Sequence, residues 1–270
     1  MIILLDNGSK RPEATMNLRR LATALTRRKG EAVHGVSLLH SSSIPPALLD
    51  GQPAETIEPF LRRQIDDGAR KFRIVPLFFG PSRAIDVFLP ELVSRLEAEA
   101  GRLDIEIAPV LCPLPGGEPR LVDILEDNVR DVMQAHQMTP ARILLVDHGS
   151  PVAAVTAVRR WLAAMLALRF RDLASVAEAV MERREGRQYD FNGELLEHAL
   201  ATAAKGAEQT ILAMQFISPG RHAGAGGDID GIVREAMNRY PGFRAVTSPL
   251  IGEHPLFEEI LSDRIDAAGS

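Results

Sequence analysis

The sequence predicts an α/β protein of two tandem domains, each a small parallel sheet flanked by helices, related by internal duplication. Three observations carry that prediction: internal matches that recur in one order, short apolar runs of buried-strand character, and helical stretches between them. Asp6-Asn7-Gly8-Ser9 follows Ile2-Ile3-Leu4-Leu5, and Asp147-His148-Gly149-Ser150 follows Ile143-Leu144-Leu145-Val146, at an offset of 141. Gly68–Phe79 resembles Gly206–Ile217 at an offset of 138, which also matches Pro81 with Pro219 and Arg83 with Arg221. Pro113–Pro119 resembles Pro249–Pro255 at an offset of 136, and Ile124, Leu125 and Asp127 then match Ile260, Leu261 and Asp263. A drifting offset is what loop insertions do to a duplicated domain.

The runs Ile2–Leu5, Arg73–Phe79, Ile143–Val146 and Thr210–Ile217 are nearly continuous in apolar residues, as strands covered on both faces are. Ser175–Val180 is a further candidate strand. The stretches Ala14–Arg28, Ala54–Gly68, Val152–Phe170 and Glu194–Lys205 read as helices between strands. Each copy therefore reads strand, loop, helix, then strand, helix, strand, helix. That alternation implies parallel pairing through right-handed crossovers. Thr139-Pro140, after the polar stretch Gln134–Met138, marks the junction and gives domains 1–138 and 139–270.

Composition narrows the function classes. With 46% hydrophobic and 25% charged residues, the 270-residue chain has the balance of a globular protein with a sizeable core. Cys112, the single cysteine, excludes an internal disulfide, a four-cysteine iron–sulfur site and a cysteine zinc finger. The apolar run Trp161–Leu168 is far shorter than the ~20 residues that span a bilayer, so no membrane partner is expected. Met1–Asp6 lacks the basic leader and cleavage site of a signal peptide, and the expected location is cytoplasmic. A net charge of −5, from 31 basic and 36 acidic residues, argues against a nucleic-acid partner.

Ligands of open parallel sheets bind beyond the carboxyl ends of the strands, and the unusual residues fall there. His148 ends the first strand of the second copy, where Gly149-Ser150 lets the chain turn tightly into a helix. His222 follows Thr210–Ile217 in the loop Ser218–Asp228, which holds four glycines from Gly220 to Gly227. Such backbone can approach a bulky planar ligand closely, because no Cβ intervenes. Either histidine alone reads as a hydrogen-bonded turn residue; two at equivalent strand ends read as one unit. The first copy has Asn7 at the position of His148. Opposite His222 it has Ala84, or Ser82 in the shift that aligns Asp86 with Asp228, and Phe78–Pro90 contains no histidine. The chemistry is thereby expected in the second half. Met181–Arg187 reads either as a solvated turn with surface ion pairs or as part of an anion site made by Arg183, Arg184, Arg187 and Arg221. Glu182 or Glu178 is then a third proton-accepting or metal-guiding group.

At Leu145–Ser150, at Ser218–His222 with the downstream Asp228, and at Met181–Gly186, the sequence resembles the sirohydrochlorin chelatase family. These class II cobalto- and ferrochelatases insert a divalent metal into a tetrapyrrole. Pro76–Ser82 looks like the same loop in degenerate form, and the resemblance covers nearly the whole chain in its tandem form. It implies that His148 and His222 bind the metal and take the pyrrole protons, with Glu182 as the third catalytic group. Arg183, Arg184, Arg221, Ser150 and Gly220 are implied to hold the substrate, sirohydrochlorin or a related tetrapyrrole rich in carboxylates. No permanently bound cofactor is implied; Fe2+, Co2+ or Ni2+ is a substrate, for siroheme or cobalamin biosynthesis. Insertion displaces two pyrrole protons, which calls for bases near neutrality, and free imidazole titrates at about 6.5.

Two departures from the family pattern stand out. The first half has no site histidines, which implies one active site per chain. The His222–Asp228 loop is longer than in short members. Three other readings compete. One is a noncatalytic tetrapyrrole- or metal-binding module. Another is a two-lobed solute-binding protein, which the expected absence of a secretion signal disfavours. The third is a histidine phosphatase, disfavoured because Asp147 stands where such enzymes need arginine.

Overall fold

A computed structural model describes residues 1–268 and contains two four-stranded sheets, each entirely parallel. The first copy runs β1 (Ile2–Asp6), α1 (Pro12–Lys29), β2 (Val33–Ser37), α2 (Ile57–Asp66), β3 (Lys71–Pro76), α3 (Leu89–Ala100), β4 (Asp104–Ile107) and α4 (Pro119–Ala135). The second runs β5 (Arg142–Asp147), α5 (Ala153–Phe170), β6 (Ser175–Val180), α6 (Leu196–Lys205), β7 (Thr210–Met214), α7 (Asp228–Arg239), β8 (Ala245–Leu250) and α8 (Pro255–Ala267). The sheet orders are β2-β1-β3-β4 and β6-β5-β7-β8. The duplicated parallel architecture is as the sequence predicts.

Each copy has one more strand–helix step than its apolar runs reveal. Asp104–Ile107 is short, alternates acidic with apolar residues and is mostly half-buried at the sheet edge, so it shows no continuous apolar run. The strand registers refine the repeat residue by residue. Ile2 pairs with Val33 and Arg73, and Ile143 with Val176 and Ile211, which gives offsets of 141, 143 and 138 for the first, second and third strands of each copy. On the fourth strands, Ile74 pairs with Ile107 and Leu212 with Thr247, an offset of 140. Pro249 therefore corresponds to Pro109 rather than to Pro113. The sequence match slipped by a loop-length difference, because the following helices, starting at Pro119 and Pro255, do keep the offset of 136.

The compact units are cut differently from the predicted 1–138 and 139–270. One comprises Met1–Gly116 and the chain from Glu258 onward; the other is Gly117–Phe257. The physical reason lies in the terminal helix of each copy. Helix α4 packs on α5, β7 and β8, its Asn128 amide donates to the Pro249 carbonyl (3.2 Å), and Asp123 pairs with Arg169 (2.8 Å). Helix α8 sends Arg264 to the carbonyls of Val110 and Leu111, each at 3.1 Å, and Asp266 meets Lys29 at 2.8 Å. Each copy's last helix thus completes the unit of the other copy.

Burial supplies the stability. In the first unit Ile3, Leu5, Val36 and Ile74 pack with Phe60, Leu61, Leu92 and Leu96. In the second, Leu144, Val146, Leu212 and Met214 pack with Leu196, Leu200 and Val233. Each such side chain contributes roughly 1.5–3 kcal/mol by leaving water. Cys112 is buried, and no helix among the described residues is long and apolar enough to cross a membrane.

Candidate active site

The site begins at the carboxyl end of β5. Gly149 has φ +91°, and a Cβ there would fall 2.0 Å from the Glu182 carbonyl oxygen, so only glycine lets this turn pass the segment after β6. The Glu182 N–H donates to the His148 carbonyl (3.1 Å), tying the two segments together. Glu182 Oε1 consequently lies 3.2 Å from His148 Nε2. His148 Nδ1 is 3.1 Å from the Gly149 carbonyl, so the ring has an acceptor at each nitrogen, the carbonyl at Nδ1 and the Glu182 carboxylate at Nε2.

His222 reaches the same place from a different strand. Its loop turns back through a Gly220 N–H bond to Ala223 O (2.8 Å) and then closes on α7, where the N–H groups of Asp228 and Ile229 donate to the carbonyls of Arg221 and His222. That closure puts Asp228 Oδ2 2.8 Å from His222 Nδ1. The carboxylate accepts the Nδ1 hydrogen and leaves the lone pair of the neutral ring on Nε2. The two imidazole rings lie edge to face with centroids 4.7 Å apart. His148, His222 and Glu182 are therefore brought together, with the His222 side chain 25% exposed and that of His148 45%.

Glu178 lies elsewhere. Its Oε2 takes a 2.9 Å bond from Arg159 Nε, and Arg159 Nη1 reaches Asp147 Oδ1 at 2.6 Å. Asp147 Oδ1 also accepts the Gly149 N–H (3.0 Å). Burial pushes the Asp147 carboxyl up from its ordinary value, and the Arg159 guanidinium works against that rise. The remaining predicted residues divide. Ser150 Oγ accepts the Val152 N–H (3.1 Å) at the start of α5, while the Asn192 side chain holds the Ser150 N–H and carbonyl. Arg183 donates to Gly193 O (3.1 Å) and sits 3.5 Å from Asp190, as the surface-turn reading has it. Arg184 lies over the Tyr189 ring at 5.9 Å, and Arg187 opens the short helical turn Arg187–Asn192. Arg221 is exposed beside Asp228, at 3.4 Å, next to His222 in the chain. Among the described residues, no three His, Cys, Asp or Glu side chains are grouped to hold a metal ion. What the site offers is an open pair of imidazoles.

The sequence profile of the CbiX family matches residues 1–132 and 142–268. The chain belongs to the CbiX family. Similar solved structures include SirB from Bacillus subtilis with Fe3+, 16% identical with a TM-score of 0.73, covering 99% of this chain and 95% of that one. The sirohydrochlorin chelatase SirB from Bacillus subtilis subspecies spizizenii in complex with cobalt is 15% identical with a TM-score of 0.70, covering 99% and 94%. CbiX, described as the terminal enzyme for biosynthesis of siroheme in denitrifying bacteria, is 19% identical with a TM-score of 0.61, covering 100% and 99%. At these identities the likeness establishes the fold. No curated protein matches the sequence significantly.

Within this CbiX-family chain the first copy can now be read position by position. Gly8 repeats the Gly149 turn at φ +83°, and a Cβ there would meet the Leu39 carbonyl at 1.8 Å, which makes Leu39 the counterpart of Glu182. The first copy thus has Asn7 for His148 and Leu39 for Glu182. Sequence reasoning passed over Arg159 and Asn192. The available signal was an arginine among Thr156, Val158, Leu162, Ala163 and Leu166, the side of α5 that packs inward.

Proposed function

We propose that this chain inserts a divalent metal into sirohydrochlorin at a single site in its second copy. The facing imidazoles of His148 and His222 carry the reading. The two rings meet edge to face, each with a carboxylate beside it, Glu182 at His148 Nε2 and Asp228 at His222 Nδ1. Insertion releases two pyrrole protons for each metal bound, and two bases stand ready for them. As the metal passes to the pyrrole nitrogens and frees the rings, His148 takes one proton, and the adjacent Glu182 carboxylate stabilises the imidazolium and relays its proton to water. His222, likewise freed of metal, takes the other on Nε2, with Asp228 stabilising the charge on that ring. Two imidazoles without a third protein ligand hold a divalent metal loosely enough to release it to four pyrrole nitrogens.

Fe2+ and Co2+ are the metals proposed, with Ni2+ as a further candidate. The similar SirB structures hold Fe3+ and cobalt, and the similar CbiX acts in siroheme biosynthesis, which favours iron. Arg221 is the proposed first contact for a substrate carboxylate, with Gly220 beside it and Arg183 and Arg184 further out. The test is anaerobic incubation of the purified chain with sirohydrochlorin and each metal, followed by absorbance. Multiple turnovers are expected. Binding of one equivalent of tetrapyrrole without turnover would assign the chain to a carrier role instead.

A further inference from the structure

The second unit contains a buried charge cluster with no counterpart among the described residues of the first unit. Arg159, 1% exposed on α5, reaches Asp147 Oδ1, Glu178 Oε2 and the Asn192 carbonyl with three different nitrogens. The strand and helix offsets place Leu18 at the position of Arg159, Gly35 at that of Glu178, and Asp6 at that of Asp147. Packing agrees, since a Cβ on Gly35 would sit 3.0 Å from Leu18 Cγ. The leucine therefore fills the ground that the ion pair holds in the second unit. Asp6 is left behind, its Oδ1 buried without a partner and its carboxyl pushed up to about 6. The first unit builds the same sheet without the cluster, so the fold does not require it. The copy without the cluster is also the copy with Asn7 and Leu39 in place of His148 and Glu182.

We propose that Arg159 is a positioning residue for metal insertion. It holds Asp147 so that Oδ1 fixes the Gly149 N–H, and with it the turn on which His148 stands. Its third bond anchors Asn192, whose side chain holds both backbone polar groups of Ser150 just beyond. Arg159 bonds through this network and acts through His148. Charge-assisted bonds of this kind fix geometry well, and removing one partner strands a buried charge. The inference rests on the proposed role of His148 in insertion.

The test replaces the cluster with the set on which the first unit folds, Arg159→Leu together with Glu178→Gly. Circular dichroism is expected to show the native fold. With kcat and KM for sirohydrochlorin measured anaerobically, kcat is expected to fall roughly tenfold or more, as for loss of a group that orients a ligand. KM is expected to stay within about threefold, because substrate contacts are untouched. Hydrogen exchange of the Gly149 amide, followed by NMR, is expected to accelerate by about tenfold as its acceptor is released. Arg159→Lys keeps a buried cation that cannot reach all three acceptors; it should show the same split more weakly, and it decides the matter if the double variant unfolds. Native kcat with native Gly149 exchange overturns the proposal. If the unaltered chain inserts no metal, the functional reading fails, and Gly149 exchange alone still decides the clamp: acceleration supports it and an unchanged rate overturns it.

Discussion

Asp6→Asn is expected to stabilise the first unit at neutral pH and to leave it nearly unchanged in acid. In the folded chain the Asp6 carboxyl rises from 3.8 to about 6, chiefly because it is buried, against the lowering pull of the Ser37 hydroxyl and the Gly8 backbone. Below pH 4 the group is protonated in both folded and unfolded chains, and its contribution is fully present. Between about pH 4 and 6 the folded state binds the proton more tightly, so stability falls as pH rises and the loss is complete above about 6. At about 1.4 kcal/mol per pH unit, that rise amounts to roughly 3 kcal/mol at pH 7. Asparagine keeps the size and the acceptor oxygen but has no charge to bury. Thermal unfolding across pH 4 to pH 8, followed by circular dichroism for both proteins, reads the difference directly. At roughly 2–4 °C per kcal/mol for a chain of this size, the variant should melt about 6–12 °C higher at pH 7 and within a few degrees of the unaltered chain at pH 4. Melting curves that run parallel across the whole range would refute the reasoning, because every other titrating group is shared.

Three further outcomes are expected. Asp228→Asn should lower kcat roughly tenfold or more, by releasing the His222 ring from its Nδ1–H tautomer, with the fold intact by circular dichroism. Gly149→Ala and Gly8→Ala should each destabilise their own unit by about 2 kcal/mol or more in thermal melts, since both Cβ atoms would run into a carbonyl oxygen. Only Gly149→Ala should also lose insertion activity at temperatures where the chain is folded. Arg221→Ala should raise KM for sirohydrochlorin more than Arg183→Ala does in steady-state kinetics, because both lie near a carboxylate but Arg183 is also held by the Gly193 carbonyl and is half as exposed as Arg221; both changes should be modest, about 1 kcal/mol or less.

Apolar runs such as Ile143–Val146 and the repeated Asp-x-Gly-Ser turn made the duplicated parallel fold legible, because strands buried on both faces leave an unbroken signature. The edge strand Asp104–Ile107 left none, since only part of it is covered. Helix exchange between the units was invisible because α4 and α8 show the same apolar pattern whichever sheet they cover. The histidines could be paired by their strand ends, and Glu182 placed near them, because a parallel sheet brings its carboxyl ends to one edge. Sequence spacing does not separate Glu182 from Glu178, since one lies just past β6 and the other within it; the structure sets Glu182 beside His148 and Glu178 on the buried Arg159. Ser150 carries a local role as well that its spacing did not show, its hydroxyl accepting the Val152 N–H just before α5.

The most direct measurement compares His148→Ala, His222→Ala and Asn7→Ala in anaerobic insertion of Fe2+ and Co2+ into sirohydrochlorin, with circular dichroism to confirm folding. Either histidine variant should lose roughly 10²-fold or more in rate, the scale of a lost general base, while Asn7→Ala keeps nearly native turnover. Full activity in both histidine variants, or loss in Asn7→Ala alone, would contradict a single site built in the second copy.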